Sequence, residues 1–273
     1  MPTILITGCS SGIGYATALY LRQQGWRVIA SCRKAEDVMR LQQEGFECLK
    51  LDVTDSNEIN AAFDYVQTSG QLDAVFCNAG YGQPGCVEDV PRAALREIFE
   101  TNVFGTWEVM NAALKIFRKQ NHGRILVTSS ILGFAAMHYR GAYNATKFAL
   151  EGMADTLRAE LYGSNIYISL IEPGPIQSRF RPNSVEKLKQ YIDLDDSFHQ
   201  DFNQKQLQRL TAASNGNPFT LPASACAEAC FKALTAKKPK ARYQVTFPTQ
   251  LFWWLRRLLP TALFDAINRK AGG

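Results

Sequence analysis

The sequence predicts a single α/β domain, doubly wound, with a central parallel sheet covered by helices on both faces. Three observations lead there. Short apolar runs alternate with longer amphipathic stretches along most of the chain. A glycine-rich loop joins the first apolar run to the first amphipathic stretch. The 273 residues show no composition shift marking an independent second domain, and they are enough to bury a full core.

The elements follow in order. Ile4, Leu5 and Ile6 make the apolar centre of a strand over 3–7. Ile13, Ala16, Leu19 and Tyr20 then recur on one face of a helix over 12–24. The alternation continues with strands over 27–31, 47–51, 74–77, 124–128, 167–171 and 242–246. Helices are expected over 35–44, 55–68, 93–117, 142–162 and 224–235. Two regions break the pattern: a polar stretch over 177–222, expected to form a substrate lid, and an aromatic tail over 247–273. The folded domain is therefore expected to span 1–246.

The loop Thr7-Gly8-Cys9-Ser10-Ser11-Gly12-Ile13-Gly14 gives the fold its first chemical meaning. Strand, glycine turn and helix in that order form a phosphate site, because helix N-terminal amides and the positive end of the dipole face the anion. Gly8 allows the tight turn, Gly12 lets backbone approach a diphosphate, and Gly14 permits close helix-to-strand packing, as in Rossmann-type dinucleotide folds. The spacing T-G-x-x-x-G-x-G differs from the G-x-G-x-x-G of most two-domain dehydrogenases and from the lysine-bearing P-loop.

Tyr143 and Lys147 stand four residues apart on one predicted helix, so they share a face. A phenol has an ordinary pKa of about 10. A neighbouring ammonium is expected to lower it towards neutrality, making an acid/base device. Ser130, upstream, is placed to hydrogen-bond the oxygen that gains or loses the proton, although Ser129 beside it is an alternative.

These residues resemble the short-chain dehydrogenase/reductase family in its single-domain form. Thr7, Gly8, Gly12, Ile13 and Gly14 look like its cofactor loop, Asn78-Ala79-Gly80 like the motif after its fourth strand, and Pro173-Gly174 like the turn after its sixth. Ser130, Tyr143 and Lys147 match its active-site serine, tyrosine and lysine, and Asn102 its asparagine. The resemblance runs from Thr3 to about Phe180. Two departures are mild: Cys77 precedes Asn78 where a second asparagine is common, and Ser178 replaces a threonine that contacts the nicotinamide carboxamide.

The resemblance implies cofactor contacts from Gly8, Ser10, Ser11, Gly12, Ile13 and Gly14 in the loop. It adds Asn78, Ala79, Gly80, Tyr143 and Lys147, then Pro173, Gly174, Ile176 and Ser178. Asp52 and Val53 resemble the adenine-edge contact, although Asp52 competes with Asp55 for the capping of the next helix. At the end of the second strand, Ala30-Ser31-Cys32-Arg33-Lys34 holds no acid. Arg33 and Lys34 lie where a 2′-phosphate would sit, which favours NADP(H) over NAD(H). The implied activity is an NADPH-dependent aldehyde or ketone reductase, with Asn102, Ser130, Tyr143 and Lys147 as its catalytic set.

The segment 131–139 is expected to line the substrate pocket. Ile131, Leu132, Phe134, Ala135, Ala136, Met137 and Tyr139 make it largely apolar, while His138 and Arg140 are expected to face solvent and Phe180 to open the lid. An apolar wall suits lipophilic aldehydes, retinoids or steroids better than sugars. The chain is similar to the branch holding hydroxysteroid and retinol dehydrogenases and bacterial aldehyde reductases. Nucleotide-sugar epimerases and dehydratases share Y-x-x-x-K but use G-x-x-G-x-x-G loops and a larger sugar-nucleotide domain. A noncatalytic NADP-binding scaffold has no need of Ser130, Tyr143 and Lys147.

Charge and special residues narrow the partners. The net charge of +5 comes without an arginine-rich stripe interleaved with aromatics, so nucleic acid is not expected. Seven cysteines without C-x-x-C spacing suggest thiols in a reducing cytosol, and three scattered histidines show no metal spacing. The N-terminus enters the first strand at once, leaving no room for a signal peptide, which points to the cytoplasm. The helices over 93–117 and 142–162 resemble the family's dimer-forming pair, which implies a homo-oligomer. The tail is too short to span a bilayer. Trp253, Trp254, Arg256 and Arg257 leave two roles open: peripheral membrane contact, or packing over the pocket or another subunit.

Overall fold

The computed structural model describes residues 1–212 and 217–271. The chain opens with β1 (Thr3–Ile6), α1 (Gly12–Gln23), β2 (Arg27–Cys32), α2 (Ala35–Gln43), β3 (Glu47–Lys50), α3 (Ser56–Ser69) and β4 (Ala74–Cys77). α4 (Arg92–Phe99) runs through a π-helical turn at Glu100–Gly105 into α5 (Thr106–Gln120), followed by β5 (Gly123–Thr128), α6 (Gly141–Glu160) and β6 (Ile166–Glu172). α7 (Phe180–Tyr191), α8 (Gln200–Thr211), α9 (Ser224–Thr235), β7 (Arg242–Gln244), α10 (Phe247–Leu258) and α11 (Thr261–Ala271) complete the described chain.

All strand pairs are parallel, in the order β3-β2-β1-β4-β5-β6-β7. Strands buried on both faces must be apolar at odd and even positions alike, which is how β1, β4 and β5 read. Ile4, Ile6, Phe76 and Leu126 point to one side, where Leu21 of α1, Leu41 of α2 and Leu234 of α9 meet them. Leu5, Val75, Ile125 and Val127 point to the other, against Phe63 of α3, Phe117 of α5 and Leu150 of α6. The strand order reverses between β1 and β4, and the crevice beyond their carboxyl ends is where doubly wound sheets bind ligands.

Three regions differ from expectation. The helix expected over 93–117 contains the π turn, with Asn102 inside it and only 1% exposed. The polar stretch 177–222 contains two helices, α7 and α8, held by a small cluster of Tyr139, Leu188, Ile192, Phe202, Leu207 and Leu210. The tail is helical and fused to the body of the domain. Phe252 of α10 and Phe264 of α11 are buried in one cluster with Ile98, Ile131, Leu132, Ala135 and Tyr143. The packing role thus accounts for the tail's inner face, while Phe247, Leu251, Trp254 and Leu258 form an exposed stripe on the outer one. Among the described residues no helix is long and apolar enough to cross a membrane.

Candidate active site

The glycine loop is built by close approach. Gly8 and Gly12 have φ of +72° and +60°, a left-handed conformation that favours glycine. A Cβ on Gly8 would lie 2.9 Å from Ala79 Cα, and one on Gly14 only 2.3 Å from the Gly8 carbonyl oxygen. Thr7 and Asn78 lock the loop to β4. Thr7 Oγ1 accepts from the backbone N–H groups of Asn78 and Ala79, each at 3.0 Å. Asn78 Nδ2 donates to the carbonyls of Thr7 (3.1 Å) and Gly8 (3.2 Å), and its Oδ1 accepts from Thr128 Oγ1 at 3.1 Å. Ser11 caps α1 with extended backbone, so the first amides of that helix open onto the crevice. These residues fit a diphosphate.

Ser178 lies over Gly12, its Cβ 3.2 Å from the place a Gly12 Cβ would take. Ile176 bridges to Leu221, and Pro173 accepts the Ile131 N–H at 2.9 Å. A Cβ on Gly174 would meet Thr246 Oγ1 at 2.2 Å. Gly80 sits against Asn102, and Val53 is buried against Gly105. Asp52 accepts from Thr54 N–H (3.0 Å) and Oγ1 (2.9 Å), while Asp55 caps α3 through Asn57 N–H at 2.8 Å.

At the end of β2, Arg33 and Lys34 are both exposed. Lys34 pairs with Glu36 at 3.5 Å, while the charge of Arg33 reaches Glu97 and Tyr81 across the crevice. Arg40, which the sequence did not single out, donates to the Ser10 carbonyl at 2.7 Å and so braces the loop from α2.

Ser130, Tyr143 and Lys147 meet beyond the carboxyl end of β5. Ser130 Oγ accepts the Leu132 N–H at 3.1 Å and lies close enough to Tyr143 to favour its ionisation. Tyr143 is 9% exposed, with the Phe180 ring edge-on at 5.2 Å. Burial pushes its phenol well above the ordinary 10.0, and the Ser130 contact opposes this. That direction corrects the expectation of a phenol lowered by Lys147. The Lys147 ammonium, 5.4 Å from the ring centroid, donates instead to the Thr128 carbonyl at 2.7 Å. Lys147 is 4% exposed, and burial brings its pKa down to about 8.

Asn102 does not reach the Tyr143 or Lys147 side chains through its hydrogen bonds. Its amide clamps Tyr81, accepting from the N–H at 3.0 Å and donating to the carbonyl at 2.9 Å, and donates to Thr146 Oγ1 at 3.2 Å. The π turn aims this amide at the loop after β4. Ser129, the alternative to Ser130, belongs to a different network: it donates to Glu151. Arg242 binds Glu151 at 2.9 Å, Asp155 at 2.8 Å and Glu172 at 3.2 Å. Burial first, and the charge of Glu151 second, push Glu172 up to about 8.

The cavity beside Tyr143 measures ≈ 210 Å³ and is lined by Leu132, Tyr139, Pro175 and Phe180 together with Arg140, Arg181 and Arg209. This corrects two expectations. Of the apolar run over 131–139, only Leu132 and Tyr139 line the cavity; Ile131, Phe134, Ala135 and Met137 pack with the tail, and Ala136 is exposed. Arg140, expected in solvent, lines the cavity, whereas His138 is exposed. Phe180 stands at the start of α7 and lines the same cavity.

The sequence pattern described as short chain dehydrogenase matches residues 2–189. The uncharacterized oxidoreductase YbbO of Escherichia coli is 38% identical over 267 residues, covering 97% of this chain and 93% of that protein. Human 17-beta-hydroxysteroid dehydrogenase type 1 is 34% identical over 273 residues, covering 93% of this chain and 80% of that one. A short-chain dehydrogenase structure from Streptomyces avermitilis superposes with a TM-score of 0.75 at 27% identity, covering 97% of this chain and 93% of that chain. With a parallel sheet, a glycine loop and a buried tyrosine–lysine pair already in place, the match leaves one assignment: the chain belongs to the short-chain dehydrogenase family of oxidoreductases.

Proposed function

We propose that the protein is an NADP(H)-dependent reductase of aldehydes or ketones carrying an apolar chain, running in reverse as an alcohol dehydrogenase. One observation carries the reading: Tyr143 lines a cavity while Ser130 and Lys147 flank it, and Thr128 and Asn78 link Lys147 to the glycine loop. Bound nicotinamide supplies or accepts the hydride. Gly8, Gly12 and the first amides of α1 would hold its diphosphate. Arg33 would hold the 2′-phosphate, because Lys34 is engaged with Glu36 and no acid stands between Ala30 and Lys34.

The remaining steps belong to the protein. Ser130 fixes the carbonyl oxygen of the substrate by hydrogen bonding, and Tyr143 gives that oxygen its proton as negative charge develops. Lys147, held by the Thr128 carbonyl with its ammonium 5.4 Å from the Tyr143 ring centroid, would bind the ribose hydroxyls of the nicotinamide. Phe180 and the tail cluster keep water from the transfer. Leu132, Pro84, Pro175 and Leu210 give the cavity an apolar wall. Its ≈ 210 Å³ lies below the ~300–1,000 Å³ of sites that enclose drug-sized ligands. Slender carbonyl chains therefore fit better than fused rings.

The test is NADPH oxidation with a length-graded series of aldehydes and matching ketones, for the intact protein and Tyr143→Phe. The variant should lose at least about a hundredfold in turnover and still bind NADPH. Near-wild-type turnover by the variant would remove Tyr143 as the proton donor. Arg33→Ala should weaken NADPH and leave NADH unchanged; equal loss for both would assign Arg33 to the fold.

A further inference from the structure

Tyr143, Lys147, Glu151 and Asp155 follow one another at intervals of four along one side of α6. Three consecutive residues at the end of β5 answer the first three. The Thr128 carbonyl takes the Lys147 ammonium at 2.7 Å, Ser129 Oγ donates to Glu151 Oε1, and Ser130 Oγ lies beside Tyr143. The Thr128 and Ser130 contacts belong to the site already described. The bond between Ser129 and Glu151 has no task there. Both residues are buried, and the turn over Ile131–Gly133 closes on them: a Cβ on Gly133 would lie 2.7 Å from Ser129 Oγ and 3.1 Å from Glu151 Cγ. The Gly133 N–H in turn donates to the Ser130 carbonyl at 2.9 Å. Any shift of the pair therefore passes to the backbone on both sides of Ser130.

A buried carboxylate needs partners, and Arg242 of β7 donates to Glu151 Oε2 at 2.9 Å. Yet Arg242 also donates to both oxygens of Asp155 at 2.8 Å and pairs with Glu172 at 3.2 Å, so β7 would be held to α6 without Glu151. What Glu151 alone adds is its reach to Ser129 and Lys147. Burial first, and the charge of Glu151 second, keep Glu172 protonated up to about 8, which leaves the charge of that pair on Glu151. The charge of Arg257 in α10 reaches Glu172, Glu151 and Asp155 together. Glu151 is the acid that acts on Lys147: burial lowers the lysine to about 8, and the carboxylate opposes that fall.

Building on the reductase reading, we propose that Glu151 is a positioning residue for this site, holding Ser130 through Ser129 and keeping Lys147 an ammonium through its charge. It touches neither substrate nor cofactor. The bond to Ser129 fixes the backbone that presents Ser130 to the carbonyl oxygen. The charge keeps a full set of N–H donors on Lys147, one for the Thr128 carbonyl and the others for the ribose hydroxyls. Two substitutions separate these tasks. Glu151→Gln leaves an acceptor for Ser129 and removes the charge, whereas Ser129→Ala removes the bond and leaves the charge.

NMR of the full chain carrying isotope-labelled lysine reads the Lys147 titration without catalysis, its resonance identified by loss in Lys147→Arg. The midpoint should stand at about 8 in the intact protein and in Ser129→Ala. In Glu151→Gln it should fall by roughly half a pH unit or more. NADPH affinity, read by nicotinamide fluorescence, should then weaken from a correspondingly lower pH as pH rises. Turnover of octanal by Ser129→Ala should drop about tenfold with NADPH affinity unchanged, because Ser130 is displaced and Lys147 is not. Thermal melting checks folding, and Glu151→Met, uncharged and of similar length, replaces Glu151→Gln should that variant unfold. A Lys147 midpoint unmoved in the folded uncharged variant, or wild-type turnover by folded Ser129→Ala, would overturn the proposal. A lowered midpoint in a protein that reduces no carbonyl compound would leave the hold of Glu151 on Lys147 standing and remove the reductase reading. Turnover by the intact protein with an unmoved midpoint would do the reverse.

Discussion

Replacing Gly14 with alanine inserts one methyl group where the glycine loop has no room. The new Cβ would lie 2.3 Å from the Gly8 carbonyl oxygen and 2.6 Å from Asn78 Nδ2, and both neighbours are tied down. Asn78 Nδ2 donates to Thr7 and Gly8, so it cannot retreat without breaking those bonds. Overpacking costs about 1–3 kcal/mol, and two hydrogen bonds at roughly 1 kcal/mol each add about 2. Alanine's helix propensity returns at most about 1 kcal/mol, leaving a net loss of about 2–4. At roughly 2–4 °C per kcal/mol for a domain near this size, Tm should fall by about 4–16 °C. Nucleotide affinity, read by nicotinamide fluorescence, should drop together with it because the loop amides move. Gly152→Ala is the control: its Cβ meets nothing within 4 Å on the exposed side of α6, so Tm should hold or rise slightly. A Gly14→Ala protein with wild-type Tm and wild-type NADPH affinity would refute the account of the loop.

Other consequences can be measured directly. Glu172, raised from 4.5 to about 8, holds a proton that the unfolded chain gives up, so its contribution to stability is complete below about 4.5 and disappears as pH rises through 8. Glu172→Gln should therefore flatten the fall of Tm between pH 5 and pH 9 (approximately the window those values set); an unchanged slope would assign that fall to other groups. Gly174→Ala should push α10 outward, since its Cβ would meet Thr246 Oγ1 at 2.2 Å and Thr249 Oγ1 at 2.7 Å. Lower Tm with protease cleavage after Thr246 is the expected sign, and intact resistance would contradict it. Phe264→Ala should cost about 3–5 kcal/mol by emptying the cluster that Tyr143 shares; urea unfolding with wild-type stability would show that α11 packs only loosely.

The sheet and the glycine loop were legible because their signals are local. Ile4, Leu5 and Ile6 announce a strand, and the intervals between Gly8, Gly12 and Gly14 announce the turn after it. Tyr143 and Lys147 were placed on one helix face by their spacing, and Ser130 was set beside them by the family resemblance. The direction of the Tyr143 shift was not legible, since it depends on burial and on which oxygen holds the Lys147 ammonium, here that of Thr128. Nor was the π turn at Asn102, because one added residue per turn leaves no mark in composition. The apolar run after Ser130 was assigned to the substrate by proximity in sequence, yet Phe252 and Phe264 from the far end of the chain claim most of it. The cavity's arginines escaped notice for the same reason: Arg140, Arg181 and Arg209 are remote in sequence and meet only once α7 and α8 fold over the sheet.

The fusion of α10 and α11 to the cluster around Tyr143 also sets a schedule for biosynthesis. The glycine loop, the first six strands and the tyrosine–lysine pair all emerge before residue 173, so a nucleotide crevice can assemble while translation continues. Phe252 and Phe264 arrive only with α10 and α11, and residues 247–271 take roughly 1–5 s to synthesise at ~5–20 residues per second. During that interval Ile98, Leu132 and Ala135 lack the partners that later bury them. A nascent chain stalled there presents an apolar face to chaperones beside an incompletely enclosed tyrosine, so ribosome-bound protein should gain its mature active site only once α11 has emerged.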